Sequence, residues 1–291
     1  MFGTNQQSGK SYFKQASSGK LLVTSRFYTL QGEGPYRGHP AYFIRLAKCN
    51  LSCSFCDTYF EEGEWFESSA LLAEAEAIIA QFYQERFLPV PSWAQGERKT
   101  IGLVITGGEP SLQEQVIELL TLAKNKFQFQ QIESNGSILL PQLPQETTLV
   151  ISPKCLEQKG IAIRYLQPQG KVLERADCLK FVMAHPGDPR FSAYSEIPSW
   201  VADWARKTGR PVFISPMNLY KKEPQRAKWA RDTQHNLSIH ERSEINERIS
   251  FWEDELLDRE ANQRNHEYAA EYCLKHGYIL NLQLHLFANL P

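Results

Sequence analysis

The chain has 291 residues, 42% of them hydrophobic and 22% charged, enough to bury a substantial core and too ordinary for a disordered or fibrous protein. Its 32 basic and 33 acidic side chains leave a net charge of -1, so no overall attraction to nucleic acid or to an anionic membrane is expected. There are six cysteines, three of them clustered at positions 49, 53 and 56. That is not a secreted disulfide framework; it points to a metal or catalytic role in a reducing compartment.

Residues 1–20, "MFGTNQQSGKSYFKQASSGK", are polar, rich in Gly and Ser, and without the apolar core of a signal peptide. They read as the flexible tail of a cytoplasmic protein, and no later run is long and apolar enough to span a bilayer. Apolar, β-rich runs then recur at 41–47, 100–107, 129–135, 147–153, 178–183, 211–217 and 278–287. Several are continuously apolar, as strands buried on both faces tend to be. Between them, 68–87 and 111–127 space their apolar residues at helical intervals, the second with Ser111 as its N-cap. A third helical stretch, 195–209, ends on Gly209 in the C-cap position. Strand, helix, strand in repetition predicts a mainly parallel α/β sheet, whose chemistry gathers at the C-terminal ends of the strands. The stretch from about Tyr220 to Arg264 departs from this pattern. It reads as a charged insertion whose second half is a solvent-facing helix anchored by Ile245, Ile249, Trp252 and Leu256.

The cysteines lie in "RLAKCNLSCSFCDT" (45–58), just after the first of these strands. Thiolates suit zinc or an iron–sulfur cluster. Zinc would need a fourth ligand, such as His39 or Asp57. A 4Fe–4S cluster normally takes four cysteines, so three leave one iron open to a non-protein ligand. Other chemistry-bearing segments also follow strands. In "ITGGEP" (105–110), Gly107 and Gly108 let backbone approach a ligand and Glu109 can accept from an ammonium. The same residues also suit a plain strand-to-helix turn with Pro110 at its first position. "ESNG" (133–136) and "SPK" (152–154) offer hydroxyl, amide and ammonium groups, although such residues are ordinary in turns. Cys155, Cys178 and Cys273 read as core or surface thiols, and His285 is assigned no role.

The spacing Cys49-x3-Cys53-x2-Cys56, with Phe55 before the last cysteine, resembles the signature of the radical S-adenosylmethionine superfamily. The longer stretch "FYTLQGEGPYRGHPAYFIRLAKCNLSCSFCDT" (27–58) resembles the 7-carboxy-7-deazaguanine synthase family within it. The likeness continues in patches through "ITGGEP", "ESNG", "ISPK", "LKFVM", "SPMN" and "LQLH", and is absent over 220–264. It implies an incomplete, TIM-like α/β barrel formed by a single domain over 21–291, with the charged insertion at about 220–264. It also implies a 4Fe–4S cluster on Cys49, Cys53 and Cys56 and a Mg²⁺ ion at Thr58. S-adenosylmethionine would be bound by Phe55, Asp57, Gly107, Gly108, Glu109, Ser134, Asn135, Ser152 and Lys154. Substrate would meet Leu30, Gln31, Gly32, Glu33, Arg45, Thr106 and the C-terminal Pro291.

The reaction so implied converts 6-carboxy-5,6,7,8-tetrahydropterin to 7-carboxy-7-deazaguanine. A 5′-deoxyadenosyl radical takes the hydrogen from C6, the ring contracts, ammonia is lost and S-adenosylmethionine is regenerated. Such a substrate has a guanine-like edge whose N–H donors want acceptors, which Gln31 and Glu33 supply together with backbone from Leu30 and Gly32. Its carboxylate wants a forked cation, which Arg45 offers. The resemblance further implies an external electron donor of flavodoxin or ferredoxin type and a homodimer. Two alternatives stay open: another small radical enzyme, such as a glycyl-radical-activating enzyme, and a zinc-stabilised binding module.

Overall fold

The computed structural model describes residues 7–10, 12–13, 19–90, 101–221 and 256–288. Pro291, the expected anchors Ile245, Ile249 and Trp252, and most of 1–20 lie outside the described residues. In chain order the strands and helices are β1 (Leu21–Leu30), β2 (Pro40–Leu46), β3 (Glu64–Phe66), α1 (Ser68–Gln84), β4 (Gly102–Gly107), α2 (Val116–Leu122), β5 (Gln130–Ser134) and β6 (Thr147–Ile151). There follow β7 (Cys155–Gln158), β8 (Ile161–Tyr165), α3 (Gly170–Arg175), β9 (Cys178–Met183), α4 (Trp200–Thr208), β10 (Val212–Pro216), α5 (Arg259–His276), β11 (Ile279–Leu280) and α6 (Leu284–Ala288).

The main sheet has nine strands in the order β11-β10-β9-β6-β5-β4-β2-β1-β3. From β2 to β11 every neighbouring pair is parallel, whereas β1 runs antiparallel to β2 and to β3. Strands β7 and β8 form a separate antiparallel hairpin. Apart from that hairpin and the short edge strand β3, each parallel strand lies beside its predecessor in sequence, so the parallel part of the sheet is laid down in one direction. Among the described residues, no helix is long and apolar enough to cross a membrane.

Alternation along the strands sorts the side chains onto two faces. Tyr42, Ile44 and Leu46 of β2, Leu103 and Ile105 of β4, and Leu179 and Phe181 of β9 join the principal core, which the helices close with residues such as Leu71, Ile79, Leu119 and Val201. The intervening residues face the other way. Low on that face Phe43, Val104 and Phe129 cluster with Phe27 and Tyr36, and Val150, Cys178 and Phe213 form a second apolar patch. Towards the strand C-termini the same face turns polar, and Arg45, Thr106, Glu133, Ser152, Lys180 and Ser215 line one cavity. Both faces are thus occupied, as the near-continuous apolar runs predict.

Three segments differ from expectation. The helix expected over 111–127 runs only from Val116 to Leu122, and Ser111 sits in a 3-10 turn whose backbone N–H is capped by Glu109. The cause is Gln113, fully buried, whose carboxamide accepts from Leu22 N at 2.8 Å and donates to the carbonyls of Leu22 and Ala47 at 3.0 and 3.1 Å. The strand expected over 278–287 is reduced to Ile279–Leu280, and Leu284–Ala288 is helical. Here the ladder ends at Asn281, whose backbone N–H still donates to Ile214 O at 2.8 Å while its side chain bonds Ser215 Oγ at 2.8 Å and Gly34 N at 2.9 Å. Finally, 259–264 begins α5 rather than a solvent-facing insertion helix: Asn262 and Asn265 are buried and bond the backbone of Leu219, Met217 and His185. Strand β1, which no expected run covered, is held by that same Gln113 and by its ladder with β2.

Replacing Gln113 with Leu would leave the buried N–H of Leu22 without its side-chain partner. A loss of about 2–3 kcal/mol in unfolding free energy is expected, read as a lower urea midpoint at unchanged slope; an unchanged midpoint would contradict this account.

Candidate active site

The three cysteines sit on a loop pressed against the end of β4. Gly107 has φ +117°, and a Cβ there would lie 2.3 Å from the Leu46 carbonyl. A Cβ at Gly108 would lie 1.9 Å from the carbonyl oxygen of Lys48. Backbone thus packs directly on backbone, fastened by Gly108 N to Leu46 O at 2.8 Å and Glu109 N to Lys48 O at 2.9 Å. Beyond Lys48, itself at φ 69°, the loop is tied from two further sides. Asn135 Nδ2 donates to Asn50 Oδ1 at 2.9 Å, and Asn50 Nδ2 donates to Ser137 Oγ at 2.8 Å. Between Cys53 and Cys56, Ser54 N donates to Glu157 Oε2 of β7 at 2.9 Å. Phe55 packs edge-on against Tyr194 and Phe191, with centroids 5.1 and 6.2 Å away.

All three thiols line the same cavity of about 230 Å³; Cys155, Cys178 and Cys273 do not. Cys155 turns its sulfur toward the Ala193 carbonyl at 3.8 Å. Burial pushes the Cys56 thiol up to about 11 and that of Cys49 to about 12, and raises Cys53 as well. They are therefore neutral at pH 7 unless a soft cation takes the proton's place. Among the described residues no group of three or more His, Cys, Asp or Glu side chains could hold a single metal ion. Three soft donors spread around one cavity, with no fourth cysteine beside them, fit an iron–sulfur cluster with one iron left for another ligand better than a tetrahedral zinc.

Of the residues expected near S-adenosylmethionine, Phe55, Asp57, Gly107, Gly108, Ser134, Asn135, Ser152 and Lys154 line this cavity. Glu109 does not. It is fully buried, and its carboxylate accepts from Ser111 N and Ser134 Oγ at 2.8 Å each and from Asn135 N at 2.7 Å. In this structure it joins the end of β4 to the end of β5. Burial raises its pKa against those hydrogen bonds. Lys154 Nζ donates to the Ser152 carbonyl and hydroxyl at 2.7 and 2.6 Å, and burial lowers its pKa.

The expected substrate residues Leu30, Gln31, Gly32, Glu33, Arg45 and Thr106 share the same cavity, as does Thr58. Arg45 and Thr106 are register partners on β2 and β4, and the Arg45 guanidinium lies 5.0 Å over the Phe27 ring, which stacks on Phe43. Thr58 Oγ1 donates to Asp57 Oδ1 at 3.3 Å. Gln31 is occupied internally: its Nε2 donates to Glu133 Oε1 at 3.2 Å and its Oε1 accepts from Glu33 N at 3.1 Å. Gly32 is in close contact with the C-terminal segment, where a Cβ would come within 3.3 Å of Leu284 N.

The cavity also holds residues to which sequence reasoning gave no role. Lys180 Nζ lies 2.6 Å from Glu33 Oε2 and 2.6 Å from Glu133 Oε2. Gln283 Nε2 donates to Asp57 Oδ2 at 3.4 Å, and Asn218 Nδ2 donates to Gln283 Oε1 at 2.7 Å. A usable signal existed for two of them. Glu133 in "QQIES" and Lys180 in "CLKFVM" are charged residues inside runs that otherwise read as buried strand, a placement that is costly without a partner or a purpose.

The 7-carboxy-7-deazaguanine synthase of Rickettsia prowazekii is 30% identical over 288 residues, covering 99% of this chain and 94% of that protein. The chain belongs to the 7-carboxy-7-deazaguanine synthase family. The synthase of Rhodospirillum rubrum is 33% identical over 223 residues, 74% of this chain and 82% of its own. Among solved structures, QueE from Escherichia coli matches with a TM-score of 0.52 at 20% identity, covering 96% of this chain and 99% of that one, which speaks for the shared fold. No family model matches the chain.

For this synthase-family chain, Gly108→Ala tests the backbone contact under the cysteine loop. The added Cβ would force the Lys48 carbonyl away, so anaerobic reconstitution is expected to load less than half the wild-type iron. Full iron loading by colorimetric assay would contradict the packing argument.

Proposed function

We propose that this chain is a 7-carboxy-7-deazaguanine synthase, a lyase that contracts 6-carboxy-5,6,7,8-tetrahydropterin to 7-carboxy-7-deazaguanine with loss of ammonia, in queuosine biosynthesis. The observation that carries this reading is that one cavity is lined at once by the three-thiol loop and by Arg45, Thr106 and Glu33. The 4Fe–4S cluster and S-adenosylmethionine, when bound, supply the radical chemistry that takes hydrogen from carbon.

The protein's part is binding, orientation and exclusion of water. Cys49, Cys53 and Cys56 would hold the cluster. The glycine pair 107–108 and the polar ends of β5 and β6, from Ser134 to Lys154, would hold S-adenosylmethionine. Arg45, stiffened over Phe27, supplies a forked cation for the pterin carboxylate. Glu33 supplies an acceptor to the guanine-like edge, on a loop that Gly34 N anchors to Asn281 Oδ1 at 2.9 Å. Thr58 would serve Mg²⁺, which takes its remaining ligands from water and substrate oxygens. Glu109 would act through Ser134 and Asn135 in this conformation.

The single-direction winding of the parallel strands, with a polar rim on the face away from the helices, supports an incomplete barrel and one catalytic domain over 21–291. A cytoplasmic location, a homodimer and a flavodoxin- or ferredoxin-type reductant belong to the same reading.

Arg45→Ala is expected to keep the iron and sulfide content of the wild type while kcat/KM falls at least about 30-fold, equivalent to about 2 kcal/mol for one truncated buried ion-pair partner. The assay uses anaerobically reconstituted protein with dithionite, Mg²⁺, S-adenosylmethionine and the carboxypterin, with chromatographic detection of product. Wild-type protein that binds iron and yields 5′-deoxyadenosine but no deazapurine would remove the substrate from this proposal.

A further inference from the structure

Lys180, on β9, stands between carboxylates delivered by two other elements, Glu33 from the loop after β1 and Glu133 from β5. The side chains of Lys180, Glu133 and Glu33 are only 7%, 13% and 18% exposed. Replacing a buried ion pair or triad by well-packed apolar residues is often neutral or stabilising, so stability alone does not account for this group. Here two carboxylates share one ammonium, so with both ionised the group would carry a surplus negative charge into a ligand cavity.

The hydrogen-bond inventory shows where that surplus is presented. Glu133 Oε1 accepts from Gln31 Nε2 at 3.2 Å and Gln131 Nε2 at 3.0 Å, while its Oε2 faces Lys180. Glu33 Oε2 also faces Lys180. Glu33 Oε1, among the described residues, has only a long 3.5 Å contact from Asn281 Nδ2. Acceptor capacity is therefore left on Glu33 Oε1 and is nearly exhausted on Glu133.

We propose that Lys180 is a positioning residue that locks Glu33 and Glu133 together as an ionised pair, so that Glu33 Oε1 meets the N–H donors of the guanine-like edge of the substrate. This rests on the proposed function above. Other titratable or charged groups at this wall are Asp57, which repels Glu33, Lys154, which attracts Glu133, the Cys178 thiol beside Glu133, and Arg45, which lines the same cavity. Burial raises the pKa of Glu33 against the pull of Lys180. Glu133, under the same burial, is held below its ordinary value by Lys180. Without the ammonium, burial and mutual repulsion would make the pair hold a proton to higher pH than in the wild type. A carboxyl that donates would then face a substrate edge that also donates.

The test compares wild type, Lys180→Met and Lys180→Arg in cluster-loaded form. Affinity for the tetrahydropterin is measured by anaerobic equilibrium dialysis, and KM and kcat separately, from pH 6 to 9. For Lys180→Met, affinity is expected to be about 30-fold weaker than wild type at pH 7. The gap should narrow towards pH 9, because the extra proton leaves as pH rises, with kcat within threefold and iron content unchanged. Lys180→Arg keeps the cation and should abolish the narrowing. Equal affinity of Lys180→Met and wild type, a pH-independent loss, or a fall in kcat at constant KM would each overturn the role of Lys180 alone. If Lys180→Met does not fold, the wild type decides: affinity flat in pH supports the proposal, and affinity rising through an apparent pKa between 6 and 8 overturns it. Wild-type protein that neither binds nor converts the carboxypterin overturns the functional reading itself, and this inference with it.

Discussion

The constraint on which the rest of the site depends is the contact between two backbones at Gly107 and Gly108. With a Cβ at 108 the Lys48 carbonyl would be 1.9 Å away, so the segment entering the cysteine loop can lie on the end of β4 only if that position has no side chain. The position of the three thiols follows from this contact. Asn50 then reaches Asn135 and Ser54 reaches Glu157, which draws the ends of β5 and β7 to the same loop. Glu109, one residue further on, spends its carboxylate fastening Ser111, Ser134 and Asn135. Motifs separated by scores of residues are joined by backbone packing and by short, buried hydrogen bonds.

The second organising feature is electrostatic. The concave face is apolar low down, around Phe43, Val104 and Phe129, and becomes charged only at the rim. Charges placed there lose most of their hydration, so each needs a partner in the wall or in the ligand. Arg45 is held over Phe27, and Glu33 and Glu133 share Lys180. A ligand carrying both a carboxylate and N–H donors complements this wall at both ends, which ties the geometry to the family's chemistry.

Much of this was legible in the sequence, because it depends on local pattern. The parallel strands at 41–47, 100–107, 129–135, 147–153, 178–183 and 211–217 all appear within a residue or two of expectation, since continuous β-branched and aromatic runs have few other ways to be buried. The cysteine spacing and the glycine pair likewise carry their chemistry in a few adjacent residues. Where the sequence misled, a distant partner had overruled a local preference. Gln113 leaves the expected helix to bond Leu22 and Ala47, and Asn281 ends the last strand to bond Ser215 and Gly34.

By itself, then, the sequence determined the class of sheet, the three-thiol loop and the strand ends on which polar groups would collect, because these follow from periodicity and residue type. Only the tertiary structure decided which polar groups face a ligand and which hold the wall together. Glu109 turns inward to neighbouring strands, Gln31 lines the cavity with its carboxamide bonded to Glu133 and Glu33, and Lys180 sits between two carboxylates brought from positions 147 and 47 residues away. Such pairings depend on strand order and register. No local pattern encodes them, because each partner's side chain is chosen by a neighbour that is remote in sequence and adjacent only in the fold.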